Sequence, residues 1–152
     1  MLPDEASSKR IAFEISQISR ELKIIDRLNA IRKNDNLDEI QARAAASSLH
    51  SVYNGIEKVV LLVLKDRGKS IPKGEAWHSE ALDAARENGI ISDALEADLR
   101  NFMGFRHFYR HAYGFMMDTE LLSPLLEGAR AAVDRLREEL GLSDRPCSHR
   151  WI

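Results

Sequence analysis

The sequence predicts an all-α protein, a single-domain antiparallel bundle of about five helices. Apolar residues recur at spacings of three and four along most of the chain, and no stretch alternates apolar and polar residues for long enough to indicate a strand. The connections between helical stretches are short, which favours antiparallel neighbours. With 152 residues, the chain fits one domain whose core needs neither a metal nor a disulfide.

The first two helices are predicted from long apolar stripes. The first stripe fades near residues 34–36, and the second helix runs from about Asp38 to Lys65, with Gly68 as its stop. The later half of the second helix is apolar nearly all round, so this helix is the predicted centre of the bundle. The stripes comprise Ile11, Ile15, Ile18, Leu22, Ile25, Leu28 and Ile31 in the first helix, and Ala45, Leu49, Val52, Ile56, Val59 and Val63 in the second.

The third and fourth helices follow a polar loop. Residues 70–76 contain proline and glycine and predict the loop, and a short helix is expected from about Trp77 to Glu87. Ser92 or Asp93 can cap the fourth helix, because either side chain can accept the free backbone N–H groups of its first turn.

The fifth helix is predicted from Ser123 and Pro124. This pair has the order of an N-cap followed by proline at the first helical position, and the helix should stop at Gly141. Residues 1–142 are therefore the predicted bundle, and residues 143–152 are expected to form a flexible C-terminal tail.

Composition excludes several classes of protein. Apolar residues make up 44% and charged residues 30% of the chain, as in ordinary folded proteins, and no apolar run approaches the roughly 20 residues of a membrane span. The N-terminus lacks a secretory pattern, and the single Cys147 has no partner for a disulfide, so a cytoplasmic protein with no membrane contact is expected. The net charge of −2 restricts any nucleic-acid binding to a local basic patch.

A cationic segment runs from Arg100 to Met117. It contains three arginines, two of the five histidines and no carboxylate, and aromatic residues are interleaved with the cations. Arginine offers a bidentate fork to phosphate and aromatic rings stack on bases, so the segment predicts a phosphate-bearing partner. The cations are Arg100, Arg106, His107, Arg110 and His111, and the aromatic residues are Phe102, Phe105, Phe108, Tyr109, Tyr113 and Phe115.

Arg106 and Tyr113 continue the apolar stripe of the fourth helix, at positions where core residues are expected. A charged group there either pairs with a carboxylate such as Glu57 or faces a groove or subunit interface that phosphate enters. On a straight helix His111 points about 140° away from Arg106, so a bend, long side chains or a second subunit must bring them together. The stripe consists of Leu95, Leu99, Phe102, Arg106, Tyr109 and Tyr113.

A neighbouring face of the fourth helix carries Gly104, His107, His111 and Gly114. The two glycines disfavour a helix, which is tolerable if they let another backbone approach closely or let the helix bend. The two histidines offer two metal ligands one turn apart, but the segment has no carboxylate or cysteine to complete a shell, so no metal is expected.

The other histidines carry weaker signals. His50 is interpreted as a histidine at the edge of the core, and His78, at a helix start, as structural. Cys147 and His149 have no second ligand pair, so they do not predict a zinc site.

The sequence Arg-His-Phe-Tyr-Arg-His-Ala-Tyr at residues 106–113 resembles the HEPN superfamily and, more narrowly, the HepT-like toxins, whose signature is Arg-x4-His-x-Tyr. All three signature positions are present, as Arg106, His111 and Tyr113. Residues 53–57, Tyr-Asn-Gly-Ile-Glu, also look like the central helix of that family.

The resemblance implies a metal-independent endoribonuclease that acts as a homodimer, without a cofactor, with the motifs of both subunits flanking one cleft. It also implies a MntA-like nucleotidyltransferase antitoxin that adds AMP to the motif tyrosine. Carried over to this chain, Arg106 and His111 are the catalytic pair and Tyr113 is the AMP acceptor. Binding of RNA or phosphate is expected from His107, from Arg100 and from Arg110, which is an addition to the usual motif.

The motif chemistry predicts cleavage by the RNA 2′-hydroxyl. His111 is expected to withdraw the hydroxyl proton or to protonate the leaving 5′-oxygen, while Arg106 stabilises the charge on the phosphate. Two alternatives remain open. In the first, the chain is a non-catalytic HEPN-like nucleotide- or partner-binding subunit of a nucleotidyltransferase complex. In the second, it is a structural helical dimer with a fortuitous motif, in which Arg106 pairs with Glu57 or another carboxylate inside the fold.

Overall fold

A computed structural model of the protein describes residues 4–142. Within them lie five α-helices, a single 3₁₀ helix and no strand, which confirms the all-α prediction. None of these helices is both long and apolar enough to cross a membrane. The elements are α1 (Glu5–Arg32), α2 (Glu39–Asp66), α3 (Trp77–Glu87), α4 (Asp93–His111), the 3₁₀ helix (Gly114–Met116) and α5 (Thr119–Glu139). The predicted tail, with Cys147 and His149, lies outside the described residues.

Four of the helices begin at a capping side chain. Oxygens of Asp4, Asp38, Ser92 and Asp118 accept backbone N–H groups of the first turns of α1, α2, α4 and α5, at 2.7 to 3.1 Å. At α2 the side chain of Gln41 also accepts from the backbone of the capping residue, at 3.0 Å. Each cap satisfies a backbone donor that the helix leaves free, so these polar residues fix where the helices start.

The α2 helix lies at the centre of the bundle and contacts each of the other four α-helices, as its apolar sequence predicts. It packs most closely on the antiparallel α1 at Gly55, which is buried. A Cβ atom on Gly55 would lie 2.6 Å from Cγ1 of Ile18. Only glycine permits this approach of the two helices.

The short α3 helix is attached to both of its neighbours. The buried Glu57 of α2 lies 2.7 Å from Nδ1 of His78, and Arg86 pairs with Glu96 of α4 at 3.1 Å. Burial and the adjacent Glu57 carboxylate raise the pKa of Tyr53, so its hydroxyl stays protonated.

The α4 helix ends earlier than its apolar stripe predicts. Ala112 has extended backbone angles, and the chain then forms the 3₁₀ helix and brings Met117 into the core. Tyr113 therefore lies beyond the helix and is 71% exposed. The prediction that Tyr113 continues the core stripe is wrong, because the helical spacing stops at His111.

The α5 helix starts at Thr119, and the prediction that it starts at Pro124 is wrong. Asp118 supplies the cap, and Pro124 lies inside the helix. Proline has no N–H to donate, and the hydroxyl of the neighbouring Ser123 donates to the carbonyl of Thr119 at 2.6 Å. The predicted stop at Gly141 agrees with the structure, since its φ of 68° is left-handed.

Candidate functional site

Arg106 is half-buried on the side of α4 that faces α2. Its Nε donates a hydrogen bond to Oδ1 of Asn54 at 3.1 Å. No carboxylate among residues 4–142 forms an ion pair with Arg106. Glu57 pairs instead with His78. The pairing of Arg106 with Glu57 is therefore wrong.

The remaining polar residues of the motif are exposed at the C-terminal end of α4. The rings of His107 and His111 lie one turn apart, with their centres 4.8 Å from each other. Arg110 is exposed between them. In the part of the chain that the structure describes, no group of three or more metal-ligating side chains occurs.

Tyr113 and Phe115 form an exposed aromatic pair beyond the end of α4. Their rings are stacked, with centres 5.7 Å apart and planes 6° from parallel. Gly114, between them, lies against α2, where a Cβ atom would be 2.9 Å from Nη1 of Arg43. Arg43 pairs with Glu39 at 2.6 Å, so it adds a partly neutralised cation beside the motif tyrosine.

The two glycines of the cationic segment lie in different surroundings. A Cβ atom on Gly104 would meet nothing within 4 Å, and α4 continues through this position. Gly114 follows the helix and contacts a side chain, not a neighbouring backbone.

Arg100 lies away from the exposed motif and holds α3 against α4. Its guanidinium donates to Glu96 at 2.6 Å, to Ser79 at 2.9 Å and to Asp83 at 2.6 Å. The hydrogen bond that Arg100 donates to Glu96 is the main cause that raises the pKa of Arg100. Each nitrogen of the guanidinium therefore already has a hydrogen-bond partner within the bundle.

His50 of α2 lies beside the motif, packed on the ring of Tyr109 with centres 4.5 Å apart. Its Nδ1 is 3.4 Å from Nδ2 of Asn54, and its Nε2 is buried without a hydrogen-bond partner among residues 4–142. Burial, and then the charges of Arg106 and Arg110, lower the pKa of His50. The ring is therefore neutral at neutral pH.

Arg106, His111 and Tyr113 make different contacts within residues 4–142. Arg106 bonds to α2, His111 contacts His107, and Tyr113 stacks on Phe115. Two grooves of about 630 Å³ each lie between α1 and α2, and neither is lined by these three residues. All three lie at the C-terminal end of α4 or just beyond it.

Three residues of α2 next to the motif were not predicted to belong to the site: Arg43, His50 and Asn54. The signal for two of them is present in the sequence, since His50 and Asn54 are polar residues one turn apart on the same face of the central helix. Which helix α2 presents them to depends on the register between α2 and α4, which the sequence does not define.

A five-helix bundle with an Arg-x4-His-x-Tyr motif at the C-terminal end of its fourth helix is consistent with a protein of the HEPN type. The chain belongs to the HepT-like protein family, whose model matches residues 44–142. The matched region includes most of α2 and all of α3, α4 and α5, whereas α1 precedes it. Comparisons with curated proteins and with solved structures found no match.

Proposed function

We propose that the chain is a HepT-like toxin, an endoribonuclease that cleaves RNA without a metal ion and acts as a homodimer. The observation that carries the proposal is the set of groups around the guanidinium of Arg106. Its Nε is held by a neutral amide, and no carboxylate of residues 4–142 pairs with its guanidinium. A charged, oriented guanidinium beside exposed histidines suits a group that accumulates negative charge, such as a phosphate under attack.

The proposed reaction is an internal transfer at phosphorus. The 2′-oxygen of one nucleotide bonds to the adjacent phosphorus, and the bond from phosphorus to the 5′-oxygen of the next nucleotide breaks. One His111 takes the 2′-hydroxyl proton, and a protonated His111 gives a proton to the leaving 5′-oxygen. Arg106 stabilises the additional charge on the phosphate oxygens. The products are a 2′,3′-cyclic phosphate and a 5′-hydroxyl.

A second copy of the chain supplies the second histidine in this scheme. Support comes from an exposed apolar patch beside the motif, formed by Phe108, Phe115 and Met116, which are 37, 66 and 43% exposed. Exposed apolar side chains that flank a polar motif are typical of interaction surfaces. A dimer that buries this patch places two copies of Arg106 and His111 around one cleft, with His107 and Arg110 at its edges for RNA phosphates.

The first test is RNA cleavage by Arg106→Ala. Single-stranded RNA is incubated with the parent protein and the variant in excess EDTA, and the ends of the products are identified. The parent should cleave and leave 2′,3′-cyclic phosphate ends, and Arg106→Ala should cleave about 10²- to 10³-fold more slowly, because a charge-stabilising donor is lost. Arg135→Ala is the matched control, since it removes an exposed arginine of α5 outside the motif.

Two outcomes contradict the proposal: cleavage that needs a divalent ion, or equal rates for Arg106→Ala and Arg135→Ala. If the parent binds RNA or nucleotide but cleaves neither, the chain is the non-catalytic binding subunit.

We also propose that a MntA-like nucleotidyltransferase neutralises the protein by adding AMP to Tyr113. The phenol ring is 71% exposed beyond the end of α4, and its hydroxyl has no hydrogen-bond partner within residues 4–142, so another enzyme can reach it. In the transfer, the phenolic oxygen bonds to the α-phosphorus of ATP, pyrophosphate leaves, and the phenol proton goes to solvent. The added nucleotide places negative charge and bulk beside His111, where RNA must bind.

The test of this second proposal uses Tyr113→Phe. Treatment with the nucleotidyltransferase and ATP should add about 329 Da, the mass of one AMP unit without water, to the parent. It should also abolish the cleavage of RNA by the parent. Tyr113→Phe should gain no mass and keep its activity, while Tyr109→Phe, a half-buried tyrosine of α4, should behave as the parent does. Full neutralisation of Tyr113→Phe would exclude this residue as the acceptor.

A further inference from the structure

Two residues outside the motif form a chain of hydrogen bonds that ends at Arg106. The Nε of Arg106 donates to Oδ1 of Asn54 at 3.1 Å, and Nδ2 of Asn54 lies 3.4 Å from Nδ1 of His50. Asn54 and His50 are one turn apart on α2, so both project toward α4. The rigid backbone of the central helix thus carries the groups that contact Arg106.

An amide can orient an arginine without offsetting its positive charge. A guanidinium has five N–H donors in a planar fork, and the bond at Nε fixes that plane while both terminal nitrogens remain available for phosphate. The amide oxygen carries no net charge, so Arg106 keeps its charge. A carboxylate at position 54 would hold the same plane but would pair with the guanidinium.

His50 determines which end of the Asn54 amide faces Arg106. An amide can turn over and present its NH₂ group, which would face the guanidinium donor to donor. Neutral His50 accepts from Nδ2 of Asn54 at Nδ1, with its own proton on Nε2, an assignment that follows from the hydrogen-bond pattern. Packing on Tyr109 holds the imidazole in this position.

We propose that Asn54, oriented by His50, is a positioning residue that aligns the guanidinium of Arg106 with the scissile phosphate. The inference rests on the proposed ribonuclease function. Neither residue contacts RNA in this account, and both act through Arg106. Loss of either should reduce the rate of the chemical step more than it reduces RNA binding.

The kinetic test compares Asn54→Ala, Asn54→Asp and His50→Ala with the parent. We expect kcat for RNA cleavage to fall about 10- to 100-fold in Asn54→Ala, because a small displacement of a catalytic group costs this much, with little change in KM. Asn54→Asp should also lose kcat although it retains the bond, since its carboxylate neutralises Arg106. Asn101→Ala, at an exposed asparagine of α4, is the control and should match the parent.

A spectroscopic test is independent of cleavage. The NMR signal of the Arg106 Nε–H group, assigned with Arg106→Lys, should exchange slowly with water in the parent and in Asn101→Ala, and faster in Asn54→Ala and His50→Ala. Unchanged exchange in Asn54→Ala, or a rise in KM with kcat unchanged, would overturn the inference. If the parent does not cleave RNA, the ribonuclease proposal fails, while the exchange measurement still decides whether Asn54 orients Arg106.

Discussion

The titration of His50 makes the folding stability of the protein depend on pH. Its pKa is lowered in the folded protein by burial and by Arg106 and Arg110, whereas an unfolded histidine titrates near 6.5. As the pH falls below about 6.5, the unfolded chain binds a proton that the folded chain still excludes. Stability should therefore decrease from about pH 6.5 downward until the folded His50 is protonated too.

Urea unfolding at pH 7.5 and 5.5 measures this effect. The parent should lose more stability between the two values than His50→Gln does, because glutamine has no proton to take up. Loss of packing against Tyr109 affects the variant equally at both pH values, so it cancels in the difference. His107→Gln, at an exposed histidine of α4, is the control and should keep the slope of the parent. Identical slopes for the parent and His50→Gln would contradict the assigned cause.

At the scale of single residues, the sequence predicts the motif but not its partners. Arg106 was expected either to meet a carboxylate or to face a phosphate, and the pattern alone leaves both open. The structure removes Glu57 as a partner because α3 brings His78 to it. The structure also shows that Arg106 bonds to Asn54, which lies 52 positions earlier in the sequence. Contacts between helices distant in sequence depend on the packing of the whole bundle.

At the scale of elements, the contact of α1 with α2 depends on one glycine. Gly55→Ala gains about 1 kcal/mol of helix propensity, but its methyl group would lie 2.6 Å from the buried Ile18, and overpacking costs typically about 1–3 kcal/mol. Because no real contact is this short, α1 must shift, and we expect a net loss of about 1–2 kcal/mol.

Gly104→Ala is the matched control for this prediction. It places the same methyl group in open space on an exposed face of α4, so only the propensity gain remains, about 1 kcal/mol in favour of folding. Thermal and urea unfolding of both variants give the comparison. Equal effects of the two substitutions would show that the approach of α1 to α2 does not require glycine.

The helix bounds show which parts of the fold sequence patterns can predict. The bounds of α2 and α3 and the end of α1 follow from local signals, namely apolar stripes and turn residues, and the prediction for them agrees with the structure to within a few residues. The start of α1 was not predicted. The end of α4 was wrong because the apolar spacing continues through Tyr113, while burial of Met117 draws the chain out of the helix. The start of α5 was wrong because two capping signals compete, and Asp118 supplies the cap ahead of Ser123.

At the scale of the whole molecule, the bundle presents its motif at the C-terminal end of α4, where the proposed function requires a second copy of the chain. Arg106 and His111 contact different neighbours, and the apolar patch of Phe108, Phe115 and Met116 lies beside them. Under the proposed function, RNA is cut in a cleft built by two copies of the chain. Nothing in the sequence pattern alone distinguishes such a patch from core residues, because exposure depends on where α4 ends.

The most direct measurement of that claim is RNA cleavage assayed across a sedimentation gradient of the parent and of Phe115→Ser. We predict that the parent sediments as a dimer, that cleavage coincides with the dimer, and that Phe115→Ser sediments as a folded monomer without activity. Cleavage that travels with a monomer, or a Phe115→Ser monomer that cleaves as fast as the parent, would contradict the account.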